Sequence, residues 1–285
     1  MLKMRNAIED LDVFELGDFR DSPKTIFLHG GPGLHGYMLP FCEQLVDHCS
    51  AVYYEQRGSK QGDCDVGISD HLYDLRTIVE HYSSTFKPTV VGHSWGAMLA
   101  VLFACSYPQL LHNLILVGCG PLNETQGVEF QNELNLRFGD RREYYDELWD
   151  AIGDERDERR QQQLANKYIT EMMEIYQKDP VSGVEVQPRQ WDYQGACSTM
   201  CESDDFVFTN RYEEALAEIA VPVTIINGAD DVMSSESLFS LMKKYIPHVK
   251  TIEIAGAGHY PWVGRGREKF LRVLTQELNR HKKNR

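Results

Sequence analysis

Short apolar runs of four to six residues recur along the chain, separated by longer stretches in which apolar positions return every three or four residues. The first pattern reads as strand and the second as helix. Strands are predicted at 25–28, 51–54, 89–91, 114–118, 223–227 and 251–254, and helices near 39–46, 71–81, 95–106, 238–245 and 269–278. Alternation of the two gives an α/β fold: a mainly parallel, doubly wound sheet with helices on both faces. The rhythm breaks after Gly120-Pro121. From there the pattern is helical and polar, and strands resume only at Val221-Pro222-Val223. The chain therefore divides into a core, 1–120 with 221–285, and an inserted helical segment, 121–220.

Charge sharpens that division. The insertion holds 23 Asp and Glu against 10 Lys and Arg, whereas the remainder holds 20 against 19. Nearly all of the net charge of −14 thus lies in the insertion. An insertion at this point lies over the carboxyl ends of the strands, where open α/β sheets bind ligands, so it reads as a lid. Stretches such as Asp154-Glu155-Arg156-Asp157-Glu158-Arg159-Arg160 are most simply a solvated helix face with mixed ion pairs. The alternative is that some lid carboxylates face inward and hold a cationic group.

The remaining composition narrows the setting. With 285 residues, 42% hydrophobic and 25% charged, the chain suits one large soluble domain. Its acidity argues against nucleic acid as a partner. No apolar run approaches the ~20 residues of a membrane span, and the N-terminus lacks the apolar core of a signal peptide. The seven cysteines are an odd count; Cys42, Cys105 and Cys119 lie in apolar runs, as buried thiols do. Reduced thiols and a cytoplasmic protein are expected.

Candidate chemistry sits at the predicted strand ends. Pro88-Thr89-Val90-Val91 runs into Gly92-His93-Ser94-Trp95-Gly96 and then into the apolar helix from Ala97. A G-x-S-x-G turn between strand and helix lifts a serine hydroxyl clear of the backbone, with glycines where a Cβ would collide. Likewise 25–28 runs into His29-Gly30-Gly31-Pro32-Gly33, a loop able to aim N–H groups at an oxyanion. The N–H groups of Gly31 and Trp95 are the predicted pair. A serine nucleophile needs a base and an acid to orient it. Strand 223–227 leads into Gly228-Ala229-Asp230-Asp231, and strand 251–254 into Ala255-Gly256-Ala257-Gly258-His259. His259 is the expected base. Asp230 and Asp231 compete as the acid, and the Gly-x-x-Asp spacing favours Asp231, leaving Asp230 as a turn former. His93 is expected to pack or hydrogen-bond nearby, and His29 to brace the oxyanion loop.

Together with Glu55-Gln56-Arg57-Gly58-Ser59, these motifs resemble the α/β-hydrolase fold superfamily, and within it the proline iminopeptidase group of serine aminopeptidases. The resemblance covers nearly the whole core and thins across the insertion. It implies a Ser94, Asp231, His259 triad with Gly31 and Trp95 as oxyanion donors. That family usually begins with a longer antiparallel hairpin, so an abbreviated N-terminal edge is expected here. It has Asp-Gln-Arg-Gly where this chain has Glu55-Gln56-Arg57-Gly58, and a glycine where His93 stands. Its lid carries a Trp-rich stretch ending in a glutamate that binds the substrate's amine; the nearest analogue is Trp191-Asp192-Tyr193…Cys201-Glu202. A serine hydrolase of a small acyl compound or short peptide follows, needing no metal or organic cofactor. An aminopeptidase with Glu202, Asp204 or Asp205 on the substrate's ammonium is the leading version. The alternatives are a general carboxylesterase and a non-enzymatic small-molecule receptor.

Overall fold

The computed structural model describes residues 4–8, 11–19, 22–58, 65–83, 85–177 and 190–283; Ser59 of the quoted motif lies outside them. The chain opens with β1 (Met4–Ile8) and β2 (Leu11–Leu16), followed by β3 (Lys24–Leu28), the two-residue β4 (Leu34–His35), a short α1 (Leu39–Glu43) and β5 (Ser50–Tyr54). Then come α2 (Ile68–Tyr82), β6 (Thr89–His93), α3 (Trp95–Ser106) and β7 (Asn113–Val117). Four helices follow, α4 (Glu124–Phe138), α5 (Arg142–Asp154), α6 (Glu158–Gln177) and α7 (Tyr193–Phe208), with β8 (Gln190–Trp191) between the last two. The chain closes with α8 (Arg211–Leu216), β9 (Val223–Gly228), α9 (Ser235–Tyr245), β10 (Lys250–Ile254) and α10 (Arg267–Lys283).

Eight strands form one sheet in the order β1-β2-β5-β3-β6-β7-β9-β10. From β5 to β10 every pairing is parallel, whereas β1 and β2 pair antiparallel with each other and β2 with β5. The N-terminal edge is therefore not abbreviated. Leu11, Val13 and Leu16 are buried while Asp12, Phe14 and Glu15 are only partly so, the pattern of a strand with one covered face. That hairpin fits into the few residues before β3 because its strands are five and six residues long and nearly contiguous.

The central strands are buried along their length, as a parallel sheet covered on both faces must be. Alternation sends Ile26, Val90, Leu114 and Ile225 into one apolar cluster with α3. Their neighbours Phe27, Val91, Ile115 and Ile226 enter a second cluster with Phe41 of α1 and Phe270 of α10. Residues 95–104 of α3 are all buried; a helix apolar all round belongs inside, and α3 lies beneath the sheet with Tyr212 and Leu216 of α8 in the same cluster.

Strand order reverses about β3, which lies between β5 and β6. The carboxyl ends of β3 and β6 are thus the switch point at which doubly wound sheets open a crevice, and they carry the His29–Gly33 loop and Ser94. The insertion is tied to this place. β8 pairs with β4, the Trp191 indole N–H donates to Pro32 O at 3.0 Å, and Asp192 N–H donates to Gly33 O at 3.2 Å. Among the described residues no helix is long and apolar enough to cross a membrane.

Candidate active site

Strand β6 ends at His93 and α3 begins at Trp95, so the chain reverses within Ser94 alone. The reversal puts Ser94 at φ 54° and ψ −121°, a conformation L residues rarely adopt and one that stores strain. The flanking glycines are required by contact. A Cβ on Gly96 would lie 2.5 Å from the Leu28 carbonyl oxygen, and one on Gly92 would strike the main chain of Gly96 and Ala97. Ser94 N–H donates to Val117 O at 3.0 Å and fastens the turn to the neighbouring strand.

His259 Nε2 lies 3.0 Å from Ser94 Oγ, and its Nδ1 lies 2.9 Å from Asp231 Oδ1. A carboxylate only accepts, so the Nδ1 side carries the proton and Nε2 is left free to take one from the hydroxyl. Met233 N–H donates to the same Oδ1 at 3.1 Å and holds the carboxylate in place. Asp231 is 7% exposed and His259 3%, so water competes little for these bonds. Asp230 meets the histidine loop through its main chain: its N–H donates to Ala257 O at 2.9 Å, and the residue, like Asp231, also lines an outer groove between α4 and α9.

Gly31 and Trp95 both line the cavity beside Ser94. Trp95 opens α3, so its N–H is among those with no acceptor inside the helix. The loop carrying Gly31 is braced by polar bonds. Gln56 N–H donates to His29 Nε2 at 3.0 Å, Gln56 Nε2 donates to His29 O at 2.8 Å, and Trp95 Nε1 donates to Gln56 Oε1 at 3.0 Å. His29 Nδ1 then donates to Gly30 O at 2.8 Å, so His29 braces the loop as expected.

His93 joins the same framework. Its Nε2 donates to the carbonyl of His259 at 2.8 Å, which leaves Nδ1 to accept from the Tyr37 hydroxyl at 2.6 Å. Tyr37 Oη in turn accepts from Gly30 N–H at 2.6 Å. One neutral imidazole thus links the serine turn, the histidine loop and the glycine loop. Sequence reasoning missed Tyr37; nothing in its local pattern marks a buried phenol as a bridge.

Burial holds these imidazoles neutral. It pushes His29 down to about 4 and His71, whose ring lies edge-on to Trp95, down to about 3. His93 falls well below the ordinary value, first through burial and then through the neighbouring His259. Each group takes up a proton in the unfolded chain near pH 6.5 but not in the folded one. Their stabilisation is complete above that pH and is lost as pH falls toward 4. Three such groups make stability fall together as pH drops below about 6.5. Denaturant midpoints measured at pH 7, 6 and 5 should therefore drop steeply; a midpoint constant over that range would contradict neutral burial.

The cavity at Ser94 measures about 200 Å³ and is walled by Phe130, Trp149, Tyr168, Tyr176, Trp191 and Phe208, with Met98, Met172 and Met200 between them. No Lys or Arg and one carboxylate, Asp204, line it among the described residues. Asp204 is exposed as a residue, yet its carboxyl is desolvated enough to be raised above the usual range. Glu202 does not reach the cavity: its Oε2 accepts Ile68 N–H at 2.6 Å and caps α2. Asp205 is exposed and does not line the cavity either. Met200, Ser203, Asp204, Val207 and Phe208 line it from α7, a spacing that defines one helix face. Glu202 and Asp205 stand on another. The apolar Met200, Val207 and Phe208 were the available signal for that face.

Comparison with known proteins agrees with this architecture. Two proline iminopeptidases are similar to the chain. That of Saccharolobus solfataricus is 23% identical over 269 residues, covering 89% of this chain and 84% of the relative. That of Lactobacillus helveticus is 23% identical over 284 residues, covering 93% of each. Among solved structures, a putative lipase from Acinetobacter baumannii superposes with a TM-score of 0.74 at 15% identity, over all of this chain and 93% of the other. A family profile for the alpha/beta hydrolase fold matches residues 26–263. The chain belongs to the α/β-hydrolase fold family, and proline iminopeptidases are among its relatives.

Proposed function

We propose that this protein is a serine hydrolase that cleaves small acyl substrates through an acyl-enzyme, and that it acts as an aminopeptidase of the proline iminopeptidase type on short peptides. The reading is carried by the unbroken line Ser94 Oγ–His259 Nε2, His259 Nδ1–Asp231 Oδ1 opening on an aromatic cavity. In the first half-reaction His259 takes the Ser94 proton while Oγ bonds to the substrate carbonyl carbon. The developing oxyanion is held by the N–H groups of Gly31 and Trp95, and the imidazolium returns its proton to the departing amine. Water, deprotonated by His259, then attacks the acyl-enzyme and releases Ser94. Asp231 keeps the imidazole in the required tautomer and offsets its charge.

Asp204 fits the substrate's free α-ammonium. It is the single carboxylate among the described lining residues, no cation accompanies it there, and its desolvation makes an incoming ammonium favourable. Residues 121–220 serve as the lid that supplies both this carboxylate and the aromatic walls. A cytoplasmic setting accords with the six described cysteines, all of which are free thiols. The second reading, a carboxylesterase, is favoured by the apolar lining, which needs no charge on the substrate.

A paired assay separates the two, with aminoacyl arylamides in one arm and acyl esters of nitrophenol in the other. The aminopeptidase reading predicts arylamide turnover that disappears when the α-amine is blocked. Ester turnover alone would replace it with the esterase reading. Asp204→Asn is expected to raise KM for the arylamide about tenfold or more and to leave kcat nearly unchanged. Equal KM in the two proteins would remove Asp204 from the amine site.

A further inference from the structure

We infer that Arg137 and Gln177, both in the insertion, are positioning residues for Asp231 and His259; the inference rests on the hydrolase reading above. Arg137 stands in the last turn of α4, and its side chain is only 8% exposed. Its Nε donates to Glu133 Oε1 at 2.7 Å. Nη1 donates to Ile175 O at 3.2 Å and to Tyr176 O at 3.0 Å. Nη2 donates to Asp230 O at 3.0 Å and to Asp231 O at 2.8 Å. A guanidinium has five N–H donors in a rigid plane, and all five are matched one to one. The carbonyls of Ile175 and Tyr176 belong to the last turn of α6, where they have no helical partner and where a cation is favoured. One buried group thus caps α6 and fastens it to the main chain of the acid loop.

The same helix end also holds the histidine loop. Gln177, the last residue of α6, is buried, and its Oε1 accepts Tyr260 N–H at 2.9 Å. A Cβ on Gly258 would collide with the Gln177 carbonyl oxygen, so loop and helix end are in contact with nothing between them. Tyr176, on the intervening position, lines the substrate cavity and places its ring 5.3 Å from that of His259. Residues 175–177 are therefore clamped between the two loops whose side chains must meet at 2.9 Å. The Nδ1–Oδ1 contact depends on main-chain positions that α4 and α6 hold from outside the core.

Lysine cannot substitute, because three donors on one atom cannot reach five acceptors spread around the edge of the guanidinium plane. Displacement of the acid loop by a fraction of an ångström acts on the chemical step, so kcat falls while KM changes little. For Arg137→Met and Arg137→Lys the expected loss in kcat is about a hundredfold. The rate of Ser94 phosphonylation by a fluorophosphonate should fall by the same factor. Added guanidinium should restore part of the rate to Arg137→Met and not to Arg137→Lys, whose side chain still fills the slot. Arg141→Met, which removes the exposed Arg141–Glu171 pair on the same insertion, should leave kcat unchanged. Gln177→Leu keeps the clamp but removes the acceptor for Tyr260 N–H, and provides an independent test if Arg137 variants do not fold; its kcat should also fall at constant KM. Wild-type kcat in a folded Arg137→Met or in Gln177→Leu would overturn the inference. Failure of the wild-type protein to be phosphonylated at all would instead overturn the hydrolase reading beneath it.

Discussion

Ser94→Ala should lower kcat by about 10⁶-fold while leaving the fold intact. The loss is that large because the hydroxyl facing the base is that of Ser94: His259 Nε2 lies 3.0 Å from its Oγ. Residual turnover would then come only from cavity binding and from the proposed oxyanion donors, the Gly31 and Trp95 N–H groups, steadying the oxyanion formed when water attacks. The fold should tolerate the change because Ser94 fastens the turn through its main-chain N–H to Val117 O, not through its hydroxyl. Alanine also faces the same φ of 54° that serine does, so the strain is unchanged. The measurement is kcat on a substrate of the paired assay alongside a denaturant midpoint. Substantial turnover in a folded Ser94→Ala protein would require a different nucleophile.

Asp231→Asn should be the next most damaging change, lowering kcat/KM by about 10⁴-fold, while Asp230→Asn stays near wild type. Asp231 Oδ1 accepts both from His259 Nδ1 and from Met233 N–H. An asparagine that keeps its oxygen at that position loses the charge that stabilises the imidazolium. One that turns its amide toward Nδ1 enforces the wrong tautomer. Either way the base is disabled. Asp230 works through main-chain atoms, its N–H on Ala257 O and its carbonyl under Arg137, and asparagine preserves both. Equal losses at the two positions, or a larger loss at Asp230, would place the acid on the wrong residue.

The site's chemistry was legible because it sits where local sequence is most constrained. Strands of five or six residues end in short loops, and at Gly92, Gly96 and Gly258 a Cβ would strike neighbouring main chain. The predicted central strands and α3 match the observed ones to within a residue or two because they are apolar on both faces. The N-terminal hairpin was less legible because β2 alternates on a single half-covered face, a weaker signal than an unbroken apolar run. The helix expected at 39–46 ends at Glu43, since Leu45 packs into the core from a turn instead.

The helices between β7 and β9 were legible from their pattern, but not which of their side chains wall the pocket. Which of Glu202, Asp204 and Asp205 faces the cavity depends on how α7 is rotated against its neighbours, and that is set by packing. Arg137 and Gln177 carry no local mark at all. Apart from Glu133 one turn before Arg137, their partners come from segments about forty to ninety residues away, so only the folded arrangement shows that they meet the loops of Asp231 and His259.

The most direct test of the central claim is mass analysis of the intact folded protein after treatment with a fluorophosphonate, followed by peptide mapping. One adduct per chain is expected, located on Ser94 and abolished in Ser94→Ala. Folded wild-type protein that remains unlabelled, or that carries its adduct on another residue, would contradict it.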